Sequence, residues 1–224
     1  MVPILYSFRR CPYAIRARLA VASAGMEVEL REVVLRQKPE AFLQVSPSAT
    51  VPCLITSTGV IDESLDVMKW ALEQNDPEDL LEMPDAGHEW IARADGPFKD
   101  ALDHTKYAQR YPDTDPIIQR NQAAEFLTDL DALIETWMFG RPTLADFAIL
   151  PFVRQFAFID KAWFDTQPWP NLQSWLERFL ASARFEQVMF KYEQWQEGDL
   201  PVRFLENDND GKPHDYRPDG TIGA

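Results

Sequence analysis

The sequence predicts an α/β domain at residues 1–76, followed by an all-helical domain at 86–200. In the first part, short apolar runs alternate with helical stretches in the order strand–helix–strand–helix–strand–strand–helix. This order describes a βαβ unit followed by a hairpin and a helix. Beyond a linker at 77–85, the apolar residues recur at helical spacing. Residues 201–224 are rich in Asp, Asn, Gly and Pro and are predicted to form a polar C-terminal extension, with Phe204 and Tyr216 as candidate anchors.

Turn and cap residues set the boundaries of the predicted elements. Pro12 suits the first turn of a helix, and Gly25 suits a helix end. In the helical part, Thr143 and Asp146 have the spacing of a capping box. The predicted strands are 2–8, 28–35, 51–56 and 60–63, and the predicted helices are 12–24, 38–45, 64–75, 86–110, 115–138, 143–159, 170–182 and 184–194.

Charge and hydropathy exclude several classes of partner. The net charge is −14, and residues 1–76 hold eight Lys and Arg against nine Asp and Glu, so the second part carries nearly all of it. Such an acidic part repels nucleic acid and anionic lipid, and neither is a predicted partner. The apolar stretch 147–158 is interrupted by Arg154 and Gln155, so no membrane span is predicted. The apolar N-terminal run is short and precedes its arginines, unlike a secretory signal, and two cysteines suit a reducing compartment; the predicted location is the cytoplasm.

Cys11 lies between a predicted strand end and a predicted helix start. Backbone N–H groups and the helix dipole favour a thiolate at such a position, and thiolate is the nucleophilic form of cysteine. Position alone leaves open an ordinary buried cysteine. Residue 14 is alanine, so there is no second thiol in the motif, and a redox cycle would need an outside thiol such as glutathione. Cys53 falls inside a predicted strand and is interpreted as a core residue.

Two further motifs suit a peptide ligand that carries charges. A cis bond at Val51-Pro52 would turn backbone groups of Val51 toward a ligand. Glu63 could take an ammonium group, and the Ser64 hydroxyl with the first N–H groups of its helix could hold a carboxylate. The alternative for Ser64 is a simple helix cap.

Taken together, these residues resemble the glutathione transferase superfamily, and its cysteine-type members most of all, notably the omega class and its bacterial relatives. The motifs span most of residues 1–160 in the order that the superfamily shows. They are Cys11-Pro12-Tyr13-Ala14, similar to Cys-Pro-Phe-Ala of that class, Lys38-Pro39-Glu40, Val51-Pro52, Glu63-Ser64 and Thr143 with Asp146.

The resemblance implies a thioredoxin-like N-terminal domain and glutathione as co-substrate. It places Cys11 opposite the glutathione sulfur. The implied glutathione contacts are Tyr13, Lys38 at the glycyl carboxylate, Val51 with Pro52 at the cysteinyl backbone, and Glu63 and Ser64 at the γ-glutamyl ammonium and carboxylate. The second substrate is expected between the domains, where His104 and Tyr107 are candidate pocket residues and Trp163 or Phe164 candidate walls. The three histidines lack metal-ligand spacing, so no metal is predicted.

The predicted function is glutathione-dependent thiol transfer through a mixed disulfide on Cys11, as in deglutathionylation or dehydroascorbate-type reduction. One alternative is a conjugating transferase that activates glutathione with a hydroxyl group, for which Tyr6 in the first strand is the nearest candidate. Another is a non-catalytic binding or regulatory protein of the same fold. The resemblance also implies a homodimer and a small-molecule or glutathionylated second substrate.

Overall fold

The structure is a computed structural model that describes residues 1–205. A four-stranded mixed sheet with three helices comes first, and a helical domain follows it, which confirms the predicted fold class. The strands are β1 (Ile4–Ser7), β2 (Glu29–Glu32), β3 (Cys53–Ile55) and β4 (Val60–Ile61), and the helices of this part are α1 (Pro12–Ser23), α2 (Glu40–Val45) and α3 (Ser64–Gln74).

The sheet has the strand order β2-β1-β3-β4. β1 pairs in parallel with β2, with Leu5 opposite Leu30, because α1 forms the crossover between them. β3 runs antiparallel to β1 and forms a hairpin with β4. Each strand is two to four residues shorter than the apolar run that predicts it.

Helix α1 is buried on nearly all sides and packs against α3 and against two helices of the helical domain, Leu144–Ala157 and Ala183–Val188. Small residues such as Ala17 and Ala20 allow these close approaches. Arg18 on this helix is fully buried and ion-pairs with Glu32 of β2. Its guanidinium also donates to Ser7 Oγ at 2.8 Å and to the Val188 carbonyl at 3.1 Å, so one side chain connects the sheet to the helical domain.

The helical domain comprises α4 (Asp85–Arg93), α5 (Lys99–Lys106), α6 (Pro116–Leu133), α7 (Leu144–Ala157), α8 (Lys161–Asp165), α9 (Pro170–Leu180) and α10 (Ala183–Val188). The segment predicted as one helix at 86–110 is helical over nearly all of its length but is not a single α-helix. A π-helical turn at Ala94–Phe98 separates α4 from α5, and a short 3₁₀ turn follows at Ala108–Arg110. Pro97 lies inside the π turn and has no N–H to donate, so the α-helical ladder is interrupted there.

The predicted helix at 184–194 is also too long, because α10 ends at Val188. Residues 189–205, which we call the C-terminal strap, run back along the edge of β2. The Trp195 N–H donates to the Glu32 carbonyl at 2.8 Å, and the Leu30 N–H donates to the Val202 carbonyl at 2.8 Å. Phe204 is 3% exposed, so it anchors the chain as expected. Tyr216 lies outside the described residues.

The capping box at the start of α7 is confirmed. Asp146 accepts hydrogen bonds from the Thr143 N–H at 2.9 Å and from its hydroxyl at 2.8 Å. Short α8, which the sequence did not predict, begins at a cap where Asp160 accepts from the Trp163 N–H. Within the described part of the chain, no helix combines the length and the apolar character needed to span a bilayer.

Candidate active site

A cleft of about 370 Å³ opens between the end of β1, the start of β3 and the starts of α1 and α3. All seven residues that the sequence assigns to the thiol and to glutathione line it. The lining residues are Cys11, Tyr13, Leu35, Lys38, Ala49, Thr50, Val51, Pro52, Asp62, Glu63 and Ser64.

Cys11 immediately precedes α1, with Pro12 as the first helical residue. Its Sγ atom lies 3.7 Å from the Val51 carbonyl oxygen, to which the thiol donates. Burial raises the pKa of this thiol above its usual value, whereas the sequence favours a thiolate. Four groups oppose the rise: the backbone N–H groups of Ala14 and Tyr13, and the cationic side chains of Lys99 and Arg16. Desolvation outweighs these four contributions, so the surroundings of Cys11 favour the thiol and not the thiolate that its position in the sequence predicts.

The Val51-Pro52 peptide bond is cis, a geometry that the sequence alone leaves open. The loop in front of it is held by Asp62, which accepts from the Ser46 hydroxyl at 2.9 Å and from the Ser48 N–H at 2.6 Å. Asp62 lines the cleft but was not predicted as a site residue. Although burial alone would raise it, the pKa of Asp62 is lowered by these hydrogen bonds.

Cys53 is fully buried, and burial together with neighbouring Asp62 raises its pKa to about 12. A thiol with such a pKa stays protonated at neutral pH and is a poor nucleophile. Both cysteines are free. The interpretation of Cys53 as a core residue agrees with this environment, and Cys11 is the cysteine that reaches the cleft.

Ser64 is not the cap residue of α3, contrary to one interpretation of the sequence. The cap position of α3 is occupied by Glu63, whose side chain makes no capping bond, and Ser64 is the first helical residue. The Ser64 hydroxyl is buried and accepts a hydrogen bond from Arg16 Nε at 3.0 Å. Glu63 is exposed at the rim of the cleft, and Lys38 lies just before α2.

Arg16 links this side of the cleft to the helical domain. Its two terminal nitrogens bind the two carboxylate oxygens of Asp95 at 2.7 and 3.0 Å, and Asp95 lies in the π-helical turn. The guanidinium is 2% exposed, so bidentate pairing is needed to offset its desolvation. The break in the predicted helix at 86–110 therefore falls where the helical domain contacts the site.

Lys99, on the first turn of α5, is a charged neighbour of the site that sequence reasoning missed. Its Nζ atom lies 5.5 Å from the centre of the Tyr13 ring, and it ion-pairs with Asp103 one turn later. Both charged side chains are mostly buried. The i,i+4 spacing of this pair is visible in the sequence, but its approach to Cys11 depends on how the two domains dock.

His104 and Tyr107 are not brought to the cleft, within the part of the chain that the structure describes. The His104 ring packs on Tyr111, with ring centres 3.8 Å apart, and Tyr107 lies against Arg110. His104 follows Lys99 by five residues, so its side chain leaves α5 on a different side and meets Tyr111 just after the 3₁₀ turn. Phe164 and Trp163 pack around Trp169 inside the helical domain and form no wall of the cleft.

Tyr6, the hydroxyl candidate of the sequence, is 1% exposed and lies in the sheet behind the cleft. Its hydroxyl accepts a hydrogen bond from Arg31 at 2.7 Å, and its ring contacts Phe42 and Trp195. Burial raises the pKa of this phenol despite the Arg31 contact. The hydroxyl is therefore committed to a structural bond on the β2 side.

Comparison with known proteins agrees with this geometry. Residues 5–79 match the family model of the glutathione S-transferase N-terminal domain, and residues 89–178 match that of the C-terminal domain. A probable glutathione transferase of Aplysia californica is 38% identical over 73 residues, which cover 33% of this chain and 78% of the relative. Glutathione S-transferase omega-1 of Sus scrofa is 40% identical over 55 residues, but these cover 25% of this chain and only 23% of the relative.

Among solved structures, a glutathione transferase from Pseudomonas putida with one glutathione disulfide bound per subunit is similar in fold. It has a TM-score of 0.69 at 20% identity, over 84% of this chain and 90% of that one. A mixed four-stranded sheet, a cleft with a thiol at a helix start and a helical second domain define a two-domain protein of the thioredoxin-like class. The chain belongs to the glutathione S-transferase superfamily.

Proposed function

We propose that the chain is a cysteine-type, omega-like glutathione transferase that performs glutathione-dependent thiol transfer. The observation that carries the proposal is a single accessible thiol in the cleft. Cys11 lines the cleft at the start of α1, while Cys53 is buried with its pKa raised to about 12. Residue 14 is alanine, so a second glutathione has to resolve any mixed disulfide on Cys11.

The chemistry of the cleft suits glutathione, which carries two carboxylates and one ammonium group. We assign Lys38 to the glycyl carboxylate and Val51 beside Pro52 to the cysteinyl backbone. Exposed Glu63 takes the ammonium group. The first N–H groups of α3, with the Ser64 hydroxyl, take the γ-glutamyl carboxylate. Tyr13 covers the sulfur. The bound glutathione disulfide of the Pseudomonas putida neighbour supports this ligand class.

The proposed reaction has two thiol–disulfide exchanges. The Cys11 thiolate attacks the glutathionyl sulfur of a mixed disulfide, which forms the Cys11–glutathione bond and releases the substrate thiolate. A glutathione thiolate then attacks the same glutathionyl sulfur, the bond to Cys11 breaks, and its electron pair returns to Cys11 Sγ. Two glutathionyl groups leave as glutathione disulfide, so glutathione is oxidised and the substrate disulfide is reduced.

Conjugation is the second candidate, and the raised pKa of Cys11 favours it. A protonated Cys11 keeps an S–H donor, which now points at the Val51 carbonyl. The same donor could instead hydrogen-bond the thiolate of bound glutathione while that thiolate attacks an electrophile. In this mechanism the role of Cys11 is that of a donor, which a serine could replace.

The test compares the native protein with Cys11→Ala and Cys11→Ser, with Cys53→Ala as a control for loss of a cysteine. Thiol transfer predicts that glutathione-dependent reduction of a small glutathione mixed disulfide falls at least about a hundredfold in both Cys11 variants. Cys53→Ala should keep its rate. If Cys11→Ser retains turnover of an aryl halide and the native protein does not reduce the disulfide, conjugation is correct. Binding of glutathione with neither turnover would favour a non-catalytic role.

The proposal carries three further elements from the family resemblance. They are a small-molecule or glutathionylated second substrate, assembly as a homodimer, and a cytoplasmic location. The second substrate would enter from the side of α5, where Tyr13 and Lys99 lie, because that side of the cleft faces the helical domain.

A further inference from the structure

The side of the cleft that faces the helical domain carries charges. Lys99 lies 5.5 Å from the centre of the Tyr13 ring, and Tyr13 follows Cys11 by two residues in the first turn of α1. The Lys99 side chain is only 13% exposed. Burying an ammonium group to this degree is costly unless the group is paired, and within residues 1–205 its ion-pair partner is Asp103.

We propose that Lys99, held in place by Asp103, is the cation that stabilises negative charge on the Cys11 sulfur during thiol transfer. The role in thiol transfer rests on the proposed function, whereas the effect of the Lys99 charge on the Cys11 thiol does not depend on it. It identifies a functional residue contributed by the helical domain to a thiol of the α/β domain. Lys99 acts on the sulfur through space and is therefore a positioning and charge-stabilising residue.

The orientation of the ion pair supports this role. The Lys99 charge is among the main influences that lower the pKa of Cys11, whereas Asp103 is among those that raise the pKa of Tyr13. The Lys99 charge therefore favours the ionised form of the Cys11 thiol, whereas the Asp103 charge favours the protonated form of the Tyr13 phenol. One oxygen of Asp103 binds Lys99, and Oδ1 is buried without a hydrogen-bond partner among residues 1–205.

The other groups that face Cys11 do not replace Lys99. Arg16 also favours the thiolate, but its guanidinium is occupied by the bidentate Asp95 and by Ser64. The N–H groups of the first turn contribute partial charges only. No carboxylate is among the main influences on the pKa of the Cys11 thiol, and burial is the largest influence that disfavours its ionised form.

The step that needs this charge is the second exchange. When glutathione attacks the mixed disulfide, the electron pair of the broken bond passes to Cys11 Sγ, which becomes a thiolate inside a partly desolvated cleft. A thiolate that is better stabilised is a better leaving group. In the first exchange, the same cation raises the fraction of Cys11 present as the attacking thiolate.

The experiment measures alkylation of Cys11 by iodoacetamide as a function of pH, followed on the Cys11 peptide by mass spectrometry. Lys99→Met keeps the length of the side chain and removes its charge, and Lys99→Arg keeps the charge. Lys106→Met removes the same charge from the exposed end of the same helix and serves as the matched control. Asp103→Asn removes the negative charge that pairs with Lys99.

We expect Lys99→Met to raise the midpoint of the pH–rate profile by about one pH unit, as expected for loss of a nearby opposite charge. Lys99→Arg should stay near the native midpoint, and Lys106→Met should not move it. Asp103→Asn should shift it by less than Lys99→Met. An unchanged midpoint in Lys99→Met, or an equal shift in Lys106→Met, would overturn the inference. Alkylation needs no glutathione, so a shift seen in a protein without thiol-transfer activity would refute the proposed function and leave the cation at Cys11 established.

Discussion

Tyr6 and Cys11 lie near each other in the chain, and their surroundings give them different chemistry. Cys11 is partly exposed in the cleft, and its thiol donates to the Val51 carbonyl. The Tyr6 hydroxyl points toward β2, where Arg31 donates to it and where the Arg31 guanidinium also stacks on Trp195 at 4.3 Å. A hydroxyl held in this way cannot turn to activate a ligand in the cleft without losing a charge-assisted hydrogen bond.

We therefore predict that Tyr6→Phe retains thiol transfer. The phenylalanine ring keeps the contacts with Phe42 and Trp195, and the loss is one hydrogen bond from Arg31, which still pairs with Glu29 at 2.7 Å. The expected cost is about 1 kcal/mol of unfolding free energy. Urea denaturation measures it, and the disulfide reduction assay is run in parallel. A large fall in turnover with little change in stability would instead support hydroxyl activation by Tyr6.

Several residues of the cleft were predictable because they stand next to a strand end or a helix start, whereas Asp62 was missed. Cys11 and Pro12, Val51 and Pro52, and the Glu63-Ser64 pair are local signals that need no knowledge of distant packing. Lys99 was not predictable, because its position next to Tyr13 depends on the docking of two domains. For the same reason the sequence does not show that His104, five residues further along the chain, packs on Tyr111 and does not line the cleft.

At the scale of elements, helix α7 shows how one buried side chain organises several segments. Asp146 is fully buried and accepts from the Thr143 N–H and hydroxyl, from the Met138 N–H at 3.1 Å and from Trp175 Nε1 at 3.1 Å. It thus joins the start of α7, the loop before it and helix α9. The capping box itself was visible in the sequence, whereas the bonds from Met138 and Trp175 come from tertiary packing.

We predict that Asp146→Ala destabilises the protein by about 3–5 kcal/mol, because four donors lose their acceptor and three of them are buried backbone or indole N–H groups. The matched control is Asp131→Ala. Asp131 accepts from the N–H groups of Asn171 and Leu172 at the start of α9, at 2.9 and 2.8 Å, near the surface. The control should cost only about 1 kcal/mol. Chemical denaturation of both variants measures the difference, and equal losses would show that the buried bonds of Asp146 add nothing to its capping role.

Helix boundaries in this part were less predictable than helix existence. The apolar periodicity of 86–110 continues through the π turn, so the pattern alone predicts one helix. Pro97 was the available local signal for the break. The end of α10 at Val188 carries no comparable signal, because the strap that follows is selected by its contacts with β2.

At the scale of the whole molecule, the C-terminal strap leaves the helical domain and packs against the N-terminal sheet. The C-terminal strap covers the edge of β2, and Trp195 completes a cluster that contains Tyr6, Phe42 and Val51. Val51 lines the cleft, so the packing of the last described segment bears on the candidate glutathione site. The sequence predicted an extension beginning at 201 and could not show this return, because the strap follows neither a helical nor a strand period.

We predict that Trp195→Ala both destabilises the fold and weakens glutathione binding. Trp195 is 7% exposed, and removal of a buried tryptophan costs about 3 kcal/mol or more. The substitution leaves a cavity in the cluster that contains Tyr6 and Phe42. Phe42 lies on α2, so the segment that leads from Lys38 into this helix loses packing support. Leu200→Ala in the same strap is the control, because Leu200 is 85% exposed and its loss should change stability by less than about 0.5 kcal/mol. Thermal unfolding gives the stability, and calorimetric titration with glutathione below the melting range gives the dissociation constant. If Trp195→Ala lost stability but bound glutathione as tightly as Leu200→Ala, the strap would stabilise the sheet edge without shaping the cleft.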